Sequence, residues 1–78
     1  MDQKDLVEYI AKSLVDQPEQ VQVHEADGEH GKVLRLSVSQ EDIGKIIGRQ
    51  GRIAREIRTV IRAGAQRSNQ RVSVDILG

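Results

Sequence analysis

Apolar and polar residues follow two different rhythms along the 78-residue chain. Val7, Ile10, Ala11, Leu14 and Val15 recur at i, i+3, i+4, i+7 and i+8, the spacing that lines one side of an α-helix. Asp2 and Asp5 lie at the end of that segment where the helix dipole favours negative charge, and Pro18 closes it. The period then shortens to two. Val21 and Val23, and later Leu34, Leu36 and Val38, alternate with polar residues, and Asp27-Gly28-Glu29-His30-Gly31 supplies turn chemistry between them. This pattern predicts a β-hairpin.

Ser39 followed by Asp42 has the spacing of a capping box, so a short helix is expected from about Gln40 through Ile43, Ile46 and Ile47, stopping at Gly48. A second helix is expected from Gly51 or Arg52 to about Gly64, with Ser68-Asn69-Gln70 as a loop. Val72, Val74 and Ile76 then alternate with Ser73 and Asp75 as a last strand. The order is α-β-β-α-α-β, an α+β domain in which three helices cover one face of a three-stranded sheet, with no linker to divide residues 1–78. On the long helix Ile53, Ile57, Val60, Ile61 and Gly64 fall in one sector expected to face the sheet, whereas Arg52, Arg55, Arg58 and Arg62 fall on the other side.

Charge changes this picture. The chain is formally neutral, but residues 44–71 carry Lys45, Arg49, Arg52, Arg55, Arg58, Arg62, Arg67 and Arg71 against Glu56 alone, a balance of +7 that the remaining residues offset. One segment is thus built to meet an anion. The same asymmetry also suits head-to-tail contacts between copies. A chain of this size buries only about 60% of its unfolded surface and has no room for a large pocket. With no cysteine it has neither disulfide nor thiolate metal site, which points to a cytoplasmic setting. No apolar run approaches the ~20 residues that span a bilayer, so no membrane partner is expected.

The basic segment opens on Gly48-Arg49-Gln50-Gly51. Two helices joined through Gly-x-x-Gly leave backbone N–H groups free where the second begins, and its dipole favours negative charge there. Glycines at 48 and 51 allow left-handed dihedrals and close approach of a sugar-phosphate strand. Arg49 can add charge-assisted hydrogen bonds and Gln50 a neutral donor. Lys45, Arg52 and Arg55 bring further positive charge to the same place. Gly-x-x-Gly alone is a weak signal; here aliphatics flank it on both sides, in Ile43-Gly44-Lys45-Ile46-Ile47-Gly48-Arg49-Gln50-Gly51-Arg52-Ile53.

That stretch resembles the KH family, whose I-G-x-x-G-x-x-I core sits on a helix-loop-helix that clamps four nucleotides of backbone. Ile47, Gly48 and Gly51 match; Ala54 stands at the second aliphatic position, with Ile53 one place early and Ile57 beyond. A chain that begins with a helix and hairpin and ends on a strand looks like the bacterial type II arrangement, and is most similar to the small stand-alone KH proteins of bacteria, the KhpA-like family. The resemblance implies a cytoplasmic, non-catalytic protein that binds single-stranded RNA, a post-transcriptional regulator or RNA chaperone linked to cell shape and division. It also implies a homodimer, or a heterodimer with a KhpB-like KH protein. In such a domain bases rest on aliphatic side chains, for which Ile43, Ile46, Ile47 and Ile53 are candidates. Ile47 is the one singled out, since ordinary core packing is expected to claim at least half of them. The loop does not itself discriminate RNA from single-stranded DNA. An adaptor whose main role is dimerisation or docking to a KhpB-like partner is the alternative.

Other chemistries find little support. With one tyrosine and neither Phe nor Trp, the chain lacks the aromatic platform on which RRM, cold-shock and OB modules stack bases. His24 and His30 flank the hairpin turn among carboxylates, but neighbouring strand residues point to opposite faces and turn carboxylates are ordinarily solvated, so no metal is expected. Gly44-Lys45 completes no Walker A loop, and no nucleophile motif occurs; no cofactor and no catalysis are expected.

Overall fold

In a computed structural model, which describes residues 2–77, α1 (Gln3–Leu14) leads through a 3-10 turn (Pro18–Gln20) to the strands β1 (Gln22–Gly28) and β2 (Gly31–Ser37). A second 3-10 turn (Gln40–Asp42) opens α2 (Ile43–Ile47), a third (Arg49–Gly51) joins α2 to α3 (Arg52–Arg67), and β3 (Val72–Leu77) follows. The Asp2 carboxylate caps α1 by accepting the Asp5 N–H at 2.8 Å, and the chain becomes extended at Val15, before Pro18.

The sheet has the order β1-β2-β3. β1 and β2 pair antiparallel with Val23 opposite Leu36; β2 and β3 pair parallel with Leu34 beside Val74. A parallel neighbour requires a crossover, and α2, the Gly48–Gly51 loop and α3 form it. The core lies between the sheet and the helices, with Val7, Ala11, Leu34, Leu36, Ile46 and Ile61 at 0–1% exposure. The type II KH architecture expected above is therefore the architecture found.

Four local expectations change. The hairpin strands run through Gly28 and Gly31 and leave only Glu29-His30 as the turn. α3 continues past Gly64 to Arg67, where Asn69 takes the left-handed conformation and the amides of Asn69 and Gln70 return to the carbonyls of Gln66 and Ala65. This Schellman closure ends the helix three residues beyond the expected boundary. The buried face of α3 is Ala54, Ile57, Ile61 and Ala65, rotated from the expected sector, so Val60 is 48% exposed. The small alanines let α3 lie close to the sheet, and the rotation leaves Ile53 and Val60 on the side toward α1.

The fourth change concerns Ser39 and Asp42. Instead of capping reciprocally, the Ser39 hydroxyl donates to Asp42 Oδ2 at 3.1 Å, and the buried Asp42 carboxylate reaches across to accept the amides of Asp16 and Gln17 at 3.2 and 3.0 Å. The bond thus joins the end of α1 to the start of α2. A long-range partner was available, and it took the carboxylate from the local one.

Candidate nucleic-acid interface

α2 stops because Gly48 leaves helical space, with φ 75° and ψ 174°. Its amide still donates to the Gly44 carbonyl at 2.9 Å. A Cβ at this position would stand 2.7 Å from Ile53 Cγ1, so both dihedral and packing demand glycine. The chain then makes one tight turn in which Gln50 (φ 58°, ψ 27°) and Gly51 (φ 74°, ψ 14°) are left-handed. The Gly51 amide returns to Gly48 O at 3.2 Å and the Arg52 amide to Arg49 O. Among the described residues no side chain accepts from the amides of Arg49 and Gln50, which open the turn after the break at Gly48. A left-handed conformation costs a non-glycine residue such as Gln50 about 1–2 kcal/mol.

Positive charge gathers beside these amides. Arg49, Gln50, Arg52 and Arg55 line an open depression of about 400 Å³. Arg52 Nε lies 3.6 Å from Glu56 Oε1, an exposed pair along the helix, while Arg49 and Arg55 face no carboxylate within ion-pair distance among the described residues. A phosphate entering here would meet guanidinium groups and the N-terminus of a helix that no side chain caps. The room above Gly51 is open, since a Cβ there would meet nothing within 4 Å.

The remaining expected residues are placed differently. Lys45 turns away from the loop, bonded to Asp16 and lying 3.4 Å from Asp42 Oδ1. Its bond to Asp16, and secondarily that to Asp42, outweighs desolvation and raises its pKa above the ordinary lysine value. Burial pushes the Asp42 carboxyl up, but the amides of Asp16 and Gln17, the Ser39 hydroxyl and Lys45 together hold it below the usual carboxylate range. Ile46 is wholly buried and belongs to the core. Ile43 and Ile53 pack partly against that core, and Ile47 stays half-buried outside it. Arg58, on the sheet side of α3, donates its Nε–H to the Val74 carbonyl at 3.2 Å.

Two features escaped the sequence pattern. Asp42 is the only buried charged residue among those described, and its spacing from Ser39 signalled a local cap instead of a link between segments. A second, apolar depression of about 390 Å³ lies between α1 and α3, lined by Ile10, Leu14, Ile53, Glu56, Ile57 and Val60. The aliphatic breadth of α3 was its signal, which periodicity alone assigns to the core. His24 and His30 lie exposed, and no group of three or more His, Asp or Glu able to hold a metal occurs among the described residues.

Comparison with known proteins places this geometry in context. A family model described as the KhpA/KhpB KH domain matches residues 4–76. An RNA-binding protein KhpA of Clostridium perfringens is 58% identical over 74 residues, covering 95% of this chain and 99% of that protein. The RNA-binding protein KhpA of Borreliella burgdorferi is 52% identical over 73 residues, 94% of this chain and 89% of that protein. That of Treponema pallidum is 44% identical over 75 residues, 96% and 94% of the two chains. No solved structure matches.

Proposed function

The chain belongs to the KhpA/KhpB KH-domain family, and from that premise we propose that it binds single-stranded RNA, non-catalytically, by gripping the sugar-phosphate backbone at Gly48–Gly51. The observation that carries this reading is the helix break at Gly48 followed by a strained left-handed turn at Gln50, with Arg49, Arg52 and Arg55 lining one open depression beside it. Strain that the fold maintains without internal return is characteristic of ligand clamps. Ile47, Ile43 and Ile53, each half-buried, offer bases aliphatic surface. Lys45 remains with its carboxylates until a phosphate competes for it. The protein acts in the cytoplasm as a post-transcriptional regulator or RNA chaperone connected with cell shape and division, roles that the family resemblance supports. RNA is favoured over single-stranded DNA by the names of the relatives.

If about three phosphates are neutralised, log K falls with log salt at a slope near −2, using ~0.7 per contact for single strands. The deciding experiment measures RNA affinity by fluorescence anisotropy for Arg49→Asp with Gln50→Asp. Both side chains are exposed, so binding is expected to vanish with the melting temperature nearly unchanged. Retained affinity in the folded double variant defeats the assignment.

The apolar depression between α1 and α3 supports a second, compatible reading. Leu14 is 36% exposed and Val60 48%, side chains that a partner would cover more favourably than water does. The proposed occupant is a second copy or a KhpB-like KH protein. Val60→Glu is expected to shift sedimentation to the monomer and leave RNA binding by the loop in place; a sedimentation profile identical to wild type counts against this surface.

A further inference from the structure

The RNA-binding reading accounts for charge at the loop, but the positive charge of α3 does not stop there. Arg52, Arg55, Arg58 and Arg62 follow one another at spacings of three, three and four residues, so each successive pair is a like-charged i,i+3 or i,i+4 pair that opposes helix formation. The fold relieves two of the four. Arg52 has Glu56, and Arg58 has the Val74 carbonyl. Arg55 and Arg62 have no ion-pair or hydrogen-bond partner among the described residues, although the chain holds twelve acids and only Glu56 lies on α3. Both side chains are exposed.

Helical geometry places Arg62 with Arg55, Thr59 and Gln66 on one solvent-facing stripe, within a sector of about 60° at 100° per residue. Every member of that stripe is exposed, and none is acidic. Arg62 stands seven residues beyond Arg55, about 10 Å further along the axis at 1.5 Å per residue. At the ~3.4 Å rise per nucleotide of a stacked strand, that distance is about three nucleotides.

Resting on the RNA-binding reading, we propose that the strand gripped at Gly48–Gly51 continues along the outer stripe of α3, and that Arg62 anchors a phosphate about three nucleotides beyond the one met by Arg55 at the edge of the loop depression. The footprint is then about seven nucleotides, longer than the four that the loop clamp alone engages. Arg55 bridges the two parts of the track. Arg58, committed to the sheet edge, and Arg67, on another side of α3, take no part.

The test compares wild type and Arg62→Ala on oligouridylates of about four and about ten nucleotides, by fluorescence anisotropy over a series of salt concentrations. Taking the ratio of the two affinities at each length removes the statistical gain from extra registers on the longer strand. One lost phosphate contact should weaken ten-nucleotide binding about 5-fold near 0.1 M salt, lessen the salt slope by about 0.7 and leave no deficit near 1 M. The four-nucleotide affinities should be equal. Equal affinities at both lengths, or an equal loss at both, overturn the extended track. Arg62→Lys is expected to restore most of the long-strand affinity, as phosphate needs only the charge; failure of that rescue together with a lowered melting temperature would make the role structural and likewise overturn the proposal. The Arg49→Asp, Gln50→Asp variant serves as control: if it retains long-strand binding while Arg62→Ala loses it, the loop reading fails and not the stripe.

Discussion

Two junctions that meet α2, one with the end of α1 and one with α3, are held in opposite ways. Between α1 and α2 the chain exposes amides at Asp16 and Gln17, and a buried carboxylate from Asp42 crosses over to accept both, with Ser39 and Lys45 completing its shell. Between α2 and α3 no side chain caps the turn, and Gln50 is kept left-handed at a cost in free energy. One junction is closed by a side chain and fixes the helices; the other is left without a side-chain cap where guanidinium groups collect. The contrast separates what holds α2 in place from what α2 holds out to a ligand, and each substitution below tests one side of it.

The largest effect is expected where stability and the open junction meet. Gly48 and Gly51 share nearly the same φ, 75° and 74°, but a methyl at Gly48 would strike the Ile53 side chain whereas one at Gly51 enters open space. Gly48→Ala should lose about 2–4 kcal/mol, combining overpacking with a backbone region (φ 75°, ψ 174°) that is essentially glycine-only, and Gly51→Ala about 1–2 kcal/mol from its left-handed dihedral alone. Urea unfolding of the two variants measures the difference. Equal losses would mean that Ile53 yields freely and that the backbone at Gly48 costs alanine no more than that at Gly51.

A smaller effect is expected at the closed junction, since water can reach the amide of the exposed Asp16 once its acceptor is gone. Asp42→Ala should lower the melting temperature at neutral pH without altering the salt slope of RNA binding. Because the folded-state pKa of Asp42 lies below its unfolded value, its contribution is fully present above the ordinary aspartate pKa and is lost as pH falls through the lowered one. Lys45 has the opposite sign: its pKa is raised, so its contribution is complete below the ordinary lysine value and disappears as pH climbs through the raised one. Melting temperatures recorded from acid to alkali should therefore fall at both ends in the wild type, and the acid limb should flatten in Asp42→Ala. An unchanged acid limb would remove Asp42 from the role of anchor.

The element order was legible because each segment's apolar period agreed with its final environment, as in Val7 and Ala11 on α1 or Leu34 and Leu36 on β2. The loop was legible because two glycines at the right spacing sat between aliphatics that needed separate helices. What the pattern could not supply was any preference among tertiary partners. Ser39 and Asp42 read as a cap because a local partner is visible in sequence, while the amides of Asp16 and Gln17 lie about 25 positions earlier. Lys45 read as part of the basic track for the same reason, its carboxylates being brought in by the fold. Val60 read as core because periodicity fixes a helix's apolar breadth but not which part of it the sheet covers, and two alanines at 54 and 65 moved that boundary.

The smallest effect is expected at Gly44, between the two junctions. It is exposed within α2, its φ is not left-handed, and a Cβ there would meet nothing within 4 Å. Neither backbone geometry nor packing inside the protein calls for glycine, which is a poorer helix former than alanine by about 0.5–1 kcal/mol. Gly44→Ala should accordingly raise stability by up to that amount. Its carbonyl accepts the Gly48 amide, so residue 44 lies one turn before the loop on the same side of α2, where an added methyl would stand in the approach of a strand to the Arg49 and Gln50 amides. RNA affinity is therefore expected to fall as stability rises. That opposed movement separates the open junction from the closed one, because Asp42→Ala should lower stability with no change in the salt slope. If urea midpoint and affinity both rise in Gly44→Ala, the strand reaches the loop from the α3 side alone.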